Sequence, residues 1–313
     1  MIDIDEEDKR KLEGQLNRVI VHVLRSYPSL HYYQGYHDIC SVFILLFGEK
    51  YATKLMESVA LFYLRYEMYI NMEPVLKKLT ILDTLIRLED EELYHFITEA
   101  HVLPYYCLSW VITWCSHDLD NLETITRLFD LFLSSNPFMV IYFSAALVLS
   151  KRNEIVTLPA GDTSTIHTYL AKLPKSLDHV ETLCQKACQL EEAYSVLELQ
   201  YQSSVALDQV STVNRFEQDW LPIKSLEDLN HTIQYQVIPI LKDEKERLPI
   251  ELKSNTNSEK KMNNDNSILQ RLSHLNRKDA LLYTLVTVSA SVGLLAILVS
   301  NSDLIREWLL TGV

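Results

Sequence analysis

The sequence predicts an all-α protein. Apolar residues recur at three- and four-residue spacing through most of the first two hundred positions, the rhythm of a helix with one buried face. Other stretches are apolar on every side, as in helices enclosed by neighbours. Strand-like alternation bounded by turn residues is missing throughout.

The elements follow in order. Residues 10–26 place Leu12, Leu16, Val19, Ile20, Val23 and Leu24 on one stripe, and Pro28 stops that helix. The polar junction "LHYYQGYHDIC", residues 30–40, comes next. "ICSVFILLFG" then predicts a helix buried at the centre of the bundle. Residues 74–99 keep one helical rhythm through Leu79, Leu82, Leu85, Ile86, Leu88, Leu93, Phe96 and Ile97. "YYCLSWVITWCSH" and "ETITRLFDLFL" are helical in period, with Trp110 and Trp114 four apart on one face. Residues 131–150 carry no charge, but Asn136-Pro137 divides them. A proline disfavours helix in the residue before it and cannot continue one across itself. The expected result is a helix end, a turn, and a buried helix of about a dozen residues, too short to span a bilayer.

Composition shifts near residue 242. Residues 1–200 read as one domain, 201–241 as a helical extension, and 242–279 as a charged, Asn-rich tether with few apolar residues. Residues 280–299, "ALLYTLVTVSASVGLLAILV", are 20 residues without a charge, enough for a transmembrane helix across a hydrocarbon core of about 30 Å. Between Lys253 and Lys278 stand six basic residues against two acidic ones. The positive-inside rule therefore puts the N-terminal body in the cytosol and leaves 300–313 as a short luminal tail. The acidic N-terminus lacks the apolar core of a signal peptide.

A net charge of −13 disfavours a nucleic-acid partner, which would ask for a basic face. Cys40, Cys107 and Cys115 lie in apolar surroundings, and an odd total of five cysteines shows no disulfide framework. His31, His37 and Cys40, or Cys184 with Cys188, give only incomplete metal-ligand pairs, so no metal is expected. No nucleophile turn, phosphate loop or dinucleotide fingerprint appears.

The chemistry points to Gln34. A carboxamide offers an acceptor and two donors but cannot act as a general base. Its useful catalytic role is to hold a water in line and donate to a charged oxygen, which GTP hydrolysis requires. Tyr33 before it can fix the loop by packing, and Gly35 after it lets another protein's backbone come close.

These residues resemble a known family. "YYQGYHDI" looks like the signature of TBC domains, all-α GTPase-activating modules for Rab GTPases. "SWVITW" with "RLFDLFL" is similar to the family's tryptophan helix and following motif, here Trp110, Trp114, Arg127, Phe129 and Asp130. The resemblance covers about residues 8–200 and, with the C-terminal apolar segment, extends to the endoplasmic-reticulum-anchored subfamily. It implies that Gln34 acts in trans as the catalytic, water-positioning group. Tyr33, Gly35, Tyr36, His37, Asp38, Trp110, Trp114, Arg127 and Asp130 would shape the site or face the Rab. It also implies no cofactor of the chain's own, since GTP and Mg2+ belong to a Rab of the early secretory pathway. The location implied is the endoplasmic reticulum membrane or the Golgi.

The chain departs from the family in one respect. TBC domains pair the glutamine with an arginine finger in a hydrophobic-x-x-Asp-x-x-Arg motif further upstream than the sequence reaches. Ile4-x-x-Glu7-x-x-Arg10 has the spacing, with Glu for Asp and too near Gln34. A finger supplies about 10³ to 10⁵ in rate, so impaired activation is expected, and a non-catalytic, tail-anchored Rab-binding adaptor is the alternative. A helical membrane scaffold is a third reading. The plainer uses of the same residues are packing for Tyr33, Tyr36, Trp110 and Trp114, capping for His37 and Asp38, and an intrahelical pair for Arg127 and Asp130.

Overall fold

A computed structural model describes residues 6–243 apart from residue 70, within a first unit that runs Met1–Glu246. No strand occurs among them. Helix α1 (Glu6–Ser26) buries Val19 and Val23 and ends two residues before Pro28. It lies along α2 (Tyr36–Phe62), held by Arg18 to Glu49 at 2.6 and 2.8 Å and by His22 to Glu57.

Helix α2 departs from the sequence expectation. Its first turns bury Ile39, Cys40, Val42, Phe43 and Ile44, yet Leu45, Leu46 and Phe47 are exposed. The cause is Gly48, at φ 70 and ψ 164, which breaks the helical path. The chain leaves the core ahead of that kink and returns to it at Ala52 and Met56. The unbroken rhythm of 74–99 is likewise two helices, α3 (Glu73–Glu89) and α4 (Glu91–Glu99). Asp90 at φ −151 cannot continue α3, and its carboxylate instead accepts from the Leu93 amide at 2.9 Å to cap α4.

A 3₁₀ turn at Pro104–Cys107 leads into the short α5 (Leu108–Thr113). Trp114 and Cys115 then take left-handed conformations at φ 53 and 64. Trp114 therefore lies past the end of the helix rather than on the face of Trp110. Helix α6 (Leu122–Ser134) starts on an Asn121 cap. The expected break and buried helix are both found: α6 ends, Asn136 and Pro137 turn, and α7 (Met139–Ser150) follows. Asn136 Oδ1 accepts from the Phe138 amide at 2.9 Å, which satisfies one of the helix's orphan donors. Every residue of α7 from Met139 to Val148 is buried, so this helix, apolar all round, occupies the centre. Among the described residues no helix is long and apolar enough to cross a membrane. The segment 280–299, most of the tether and the tail 300–313 lie outside the described residues.

Helices α8 (Arg152–Ile155), α9 (Thr163–Ala171), α10 (Val180–Ala193) and α11 (Val196–Ser203) continue the bundle, with α10 against α7. Packing does not stop near residue 200. Arg65, 1 % exposed, donates to Leu61 O at 3.1 Å and to Val210 O at 3.0 Å, and lies 3.8 Å from Asp219 at the end of α12 (Thr212–Asp219). Tyr63 meets Phe216 and Trp220 edge-on, and its carbonyl accepts from the Thr212 hydroxyl at 3.3 Å. Beyond α12 come α13 (Leu226–Thr232) and a π turn at Ile233–Val237.

Two consequences can be measured. Asp219→Ala leaves the buried Arg65 without its carboxylate, which costs about 3 to 5 kcal/mol. Urea unfolding should show a lower midpoint at unchanged slope. Asp83 on α3 is raised by burial from its ordinary 3.8 to about 7. A raised acid binds protons in the folded state that the unfolded chain has released, so its ionisation opposes folding as pH climbs from 4 to 7. Asp83→Asn should therefore match the parent near pH 4 and exceed it in stability at pH 8.

Candidate functional site

The junction between α1 and α2 is a turn pinned at both ends. His31 N donates to Met68 O at 2.7 Å, which fixes the entry to the loop after α2. Tyr36 N to Tyr33 O at 3.2 Å and Asp38 N to Gly35 O at 3.1 Å close the turn itself. Tyr33 is buried, and its hydroxyl donates to the Ile112 carbonyl on α5 at 3.0 Å. Its ring packs 5.9 Å from that of Tyr36, which is fully buried. Burial holds both phenols well above the usual tyrosine range, so they stay protonated.

Gly35 takes φ 115 and ψ −23, a conformation that L side chains rarely adopt. A Cβ there would also stand 2.9 Å from Thr113 Cγ2 and 3.3 Å from Ile112 Cγ1. The sequence suggested that this glycine admits another protein's backbone. The space it leaves is instead filled by the chain's own α5. With Tyr33 and Gly35 seated on α5, Gln34 is turned outward: it is exposed, and its carboxamide makes no hydrogen bond among the described residues.

Polar side chains surround the turn. The Tyr32 hydroxyl meets His37 Nδ1 at 2.8 Å, and His37 Nε2 lies 3.5 Å from Asp38 Oδ2. Asp38 Oδ1 faces His117 Nδ1 at 3.4 Å across 79 residues of sequence. Asp38 and His37 thus pair with side chains instead of capping α2, whose N-cap is Gly35. Asp38 still sits in the first turn, where a negative charge suits the helix dipole. Cys40 is buried and pushed up to about 12, so it is a neutral thiol and neither a ligand nor a nucleophile near pH 7. Among the described residues no group of three or more His, Cys, Asp or Glu side chains could hold a metal ion.

The tryptophans of the second motif lie inside the bundle. Trp110 is wholly buried, and Trp114 packs edge-on against Tyr63, Phe129 and Phe132. Neither ring is on the surface. Arg127 does not pair with Asp130. It makes a two-pronged contact with Glu181 of α10 at 2.6 and 2.9 Å, while Asp130 is exposed. That pair is largely solvated, so it contributes little, and the larger cost of breaking a buried pair does not apply. Arg10 lies on the exposed side of the first turns of α1. Sequence reasoning missed Ile112, Thr113 and His117, because contacts between distant segments leave no local pattern.

The model of the Rab-GTPase-TBC domain matches residues 2–156, which include the Gln34 turn, α5 and α6. Residues 2–156, just under half of the chain, thus carry a Rab-GTPase-TBC domain. The TBC domain is similar to GTPase-activating protein gyp10 of Schizosaccharomyces pombe, 36% identical over 57% of this chain and 48% of that protein. TBC1 domain family member 20 of Homo sapiens is 37% identical over 58% of this chain and 45% of its own length. GTPase-activating protein GYP8 of Saccharomyces cerevisiae is 27% identical over 49% and 37%. The chain spans about half the length of the first two relatives and less of the third.

The seat of Gly35 makes the turn sensitive to one methyl group. Gly35→Ala combines a disfavoured φ, a cost of about 1 to 3 kcal/mol, with displacement of Thr113. Gly48→Ala meets a positive φ but nothing within 4 Å. Thermal unfolding of the two variants should therefore show the larger loss at Gly35.

Proposed function

We propose that this chain promotes GTP hydrolysis by a Rab GTPase, with Gln34 supplying in trans the carboxamide that orients the attacking water. The observation that carries the reading is the exposed, unbonded carboxamide of Gln34 on a turn fixed by buried contacts to α5. The Rab-GTPase-TBC domain matched over residues 2–156 and the names of the relatives support it. Phosphoryl transfer asks for positioning and charge neutralisation more than for covalent chemistry, so a neutral amide held in place suffices for this step. GTP and Mg2+ belong to the Rab. Tyr33 and Gly35 fix the turn from behind, and Gln34 is presented toward the Rab.

The finer reading places this activity on the early secretory pathway. Residues 280–299 would anchor the chain in the endoplasmic reticulum or Golgi membrane, with the helical body in the cytosol and 300–313 across the bilayer. The uncharged length of 280–299 and the basic residues before it support this topology.

Single-turnover GTP hydrolysis across a panel of Rab GTPases tests the activity. The parent chain should accelerate hydrolysis on at least one Rab, and Gln34→Ala should lower that rate about a hundredfold or to the Rab's own, the usual cost of one positioned transition-state donor. Equal rates for parent and variant would refute the assignment. Rab binding without acceleration by either would favour the adaptor. Protease treatment of microsomes carrying a C-terminal tag tests the topology, since a tag digested without detergent rules it out.

A further inference from the structure

The side chains around Gln34 contain a second layer of order that the backbone of the turn does not require. Tyr32 and His37 bracket Tyr33, Gln34, Gly35 and Tyr36, and their 2.8 Å bond, exposed to solvent, joins the two ends of the turn. Their rings also stack, with centroids 6.3 Å apart at 27°. Burial and the Asp38 charge raise the Tyr32 phenol, so it keeps its proton. An ionised carboxylate only accepts, and His37 Nε2 faces Asp38 Oδ2 at 3.5 Å, which favours the ring proton on Nε2 and leaves Nδ1 to accept from the Tyr32 hydroxyl. That carboxylate oxygen is buried and accepts no hydrogen bond, so its contact with His37 is one of charge and proximity. Its companion oxygen faces His117 Nδ1 at 3.4 Å, past the end of α5. Asp38 therefore sits between two imidazoles from segments far apart in sequence, one of which grips the tyrosine ahead of the glutamine.

None of these contacts caps α2, and the Tyr36 and Asp38 amides are already paired within the turn. Tyr32 is 48 % exposed and His117 mostly so, and exposed pairs add little to global stability. Such an arrangement acts locally: it restricts the orientations open to the turn between the two clasped residues. The structure assigns to Tyr32, His37, Asp38 and His117 an outer clasp that positions the Gln34 carboxamide for hydrolysis. They are positioning residues, acting through Gln34, and this role rests on the activator reading above.

The test separates a positioning role from Rab contact and from folding. Tyr32→Phe keeps the ring and its stacking and removes only the hydroxyl. In single-turnover hydrolysis it should lower the rate at saturating chain about three- to tenfold, the equivalent of one ordinary hydrogen bond. The half-saturating concentration should stay within about twofold, because the exposed ring keeps its shape and place. Added to Gln34→Ala, the same substitution should change nothing further, since its effect passes through that side chain. An equal loss in both backgrounds, or a change confined to half-saturation, would overturn the clasp. A second readout needs no Rab. Nitrogen-15 histidine spectra of the unbound chain should place the His37 proton on Nε2, and Tyr32→Phe should yield a mixture of tautomers. A proton on Nδ1 in the parent overturns the clasp whatever the activity. Gln34→Ala without effect sinks the activator reading instead, and leaves the clasp nothing to position.

Discussion

The hydroxyl of Tyr33 on the carbonyl of Ile112, with Gly35 seated against Thr113, is the contact on which the site depends. One such bond contributes only about 0.5 to 1.5 kcal/mol net. Its leverage is geometric. It joins the turn before α2 to a helix nearly eighty residues later, and it takes up the two residues on either side of Gln34. The inner side of the turn is filled by the protein's own apolar atoms, so the polar amide between them has only the surface to occupy. A loop that was merely flexible could also expose a glutamine, but it could not hold one in place.

Much of this scaffold was readable from residue patterns. Pro28 ends α1, Asn136-Pro137 separates α6 from α7, and the apolar run after Pro137 forms the enclosed central helix. The misreadings share a physical origin. Apolar periodicity carries across Asp90 without a gap, because the break there depends on a carboxylate capping the next helix rather than on a change of face. The run before Gly48 is as apolar as a core helix, yet the kink takes Leu45 to Phe47 away from the core. Trp114 keeps helical spacing from Trp110, although its backbone is left-handed.

The candidate site was legible to the same degree and no further. Tyr33, Gln34 and Gly35 stand out because their side-chain chemistry is unusual at a helix junction. Their partners do not. Ile112, Thr113 and His117 sit in a segment whose visible signal is its tryptophans, and only the folded chain brings them to the turn. Arg127 makes a related point: its neighbour at three residues, Asp130, stays in solvent while Glu181 of another helix takes the guanidinium. Local spacing proposes partners, and packing chooses among them.

The buried Arg65 also constrains how the molecule is made. Its acceptor Val210 O lies 145 residues downstream, and Asp219 further still. At ordinary elongation rates of about 5 to 20 residues per second, Arg65 is synthesised roughly 7 to 29 seconds before Val210. For that interval a guanidinium destined for the interior has no carboxylate to receive it and must stay hydrated. Closure of the bundle around it is therefore a late event in translation, completed only after the whole segment matched by the family model has emerged.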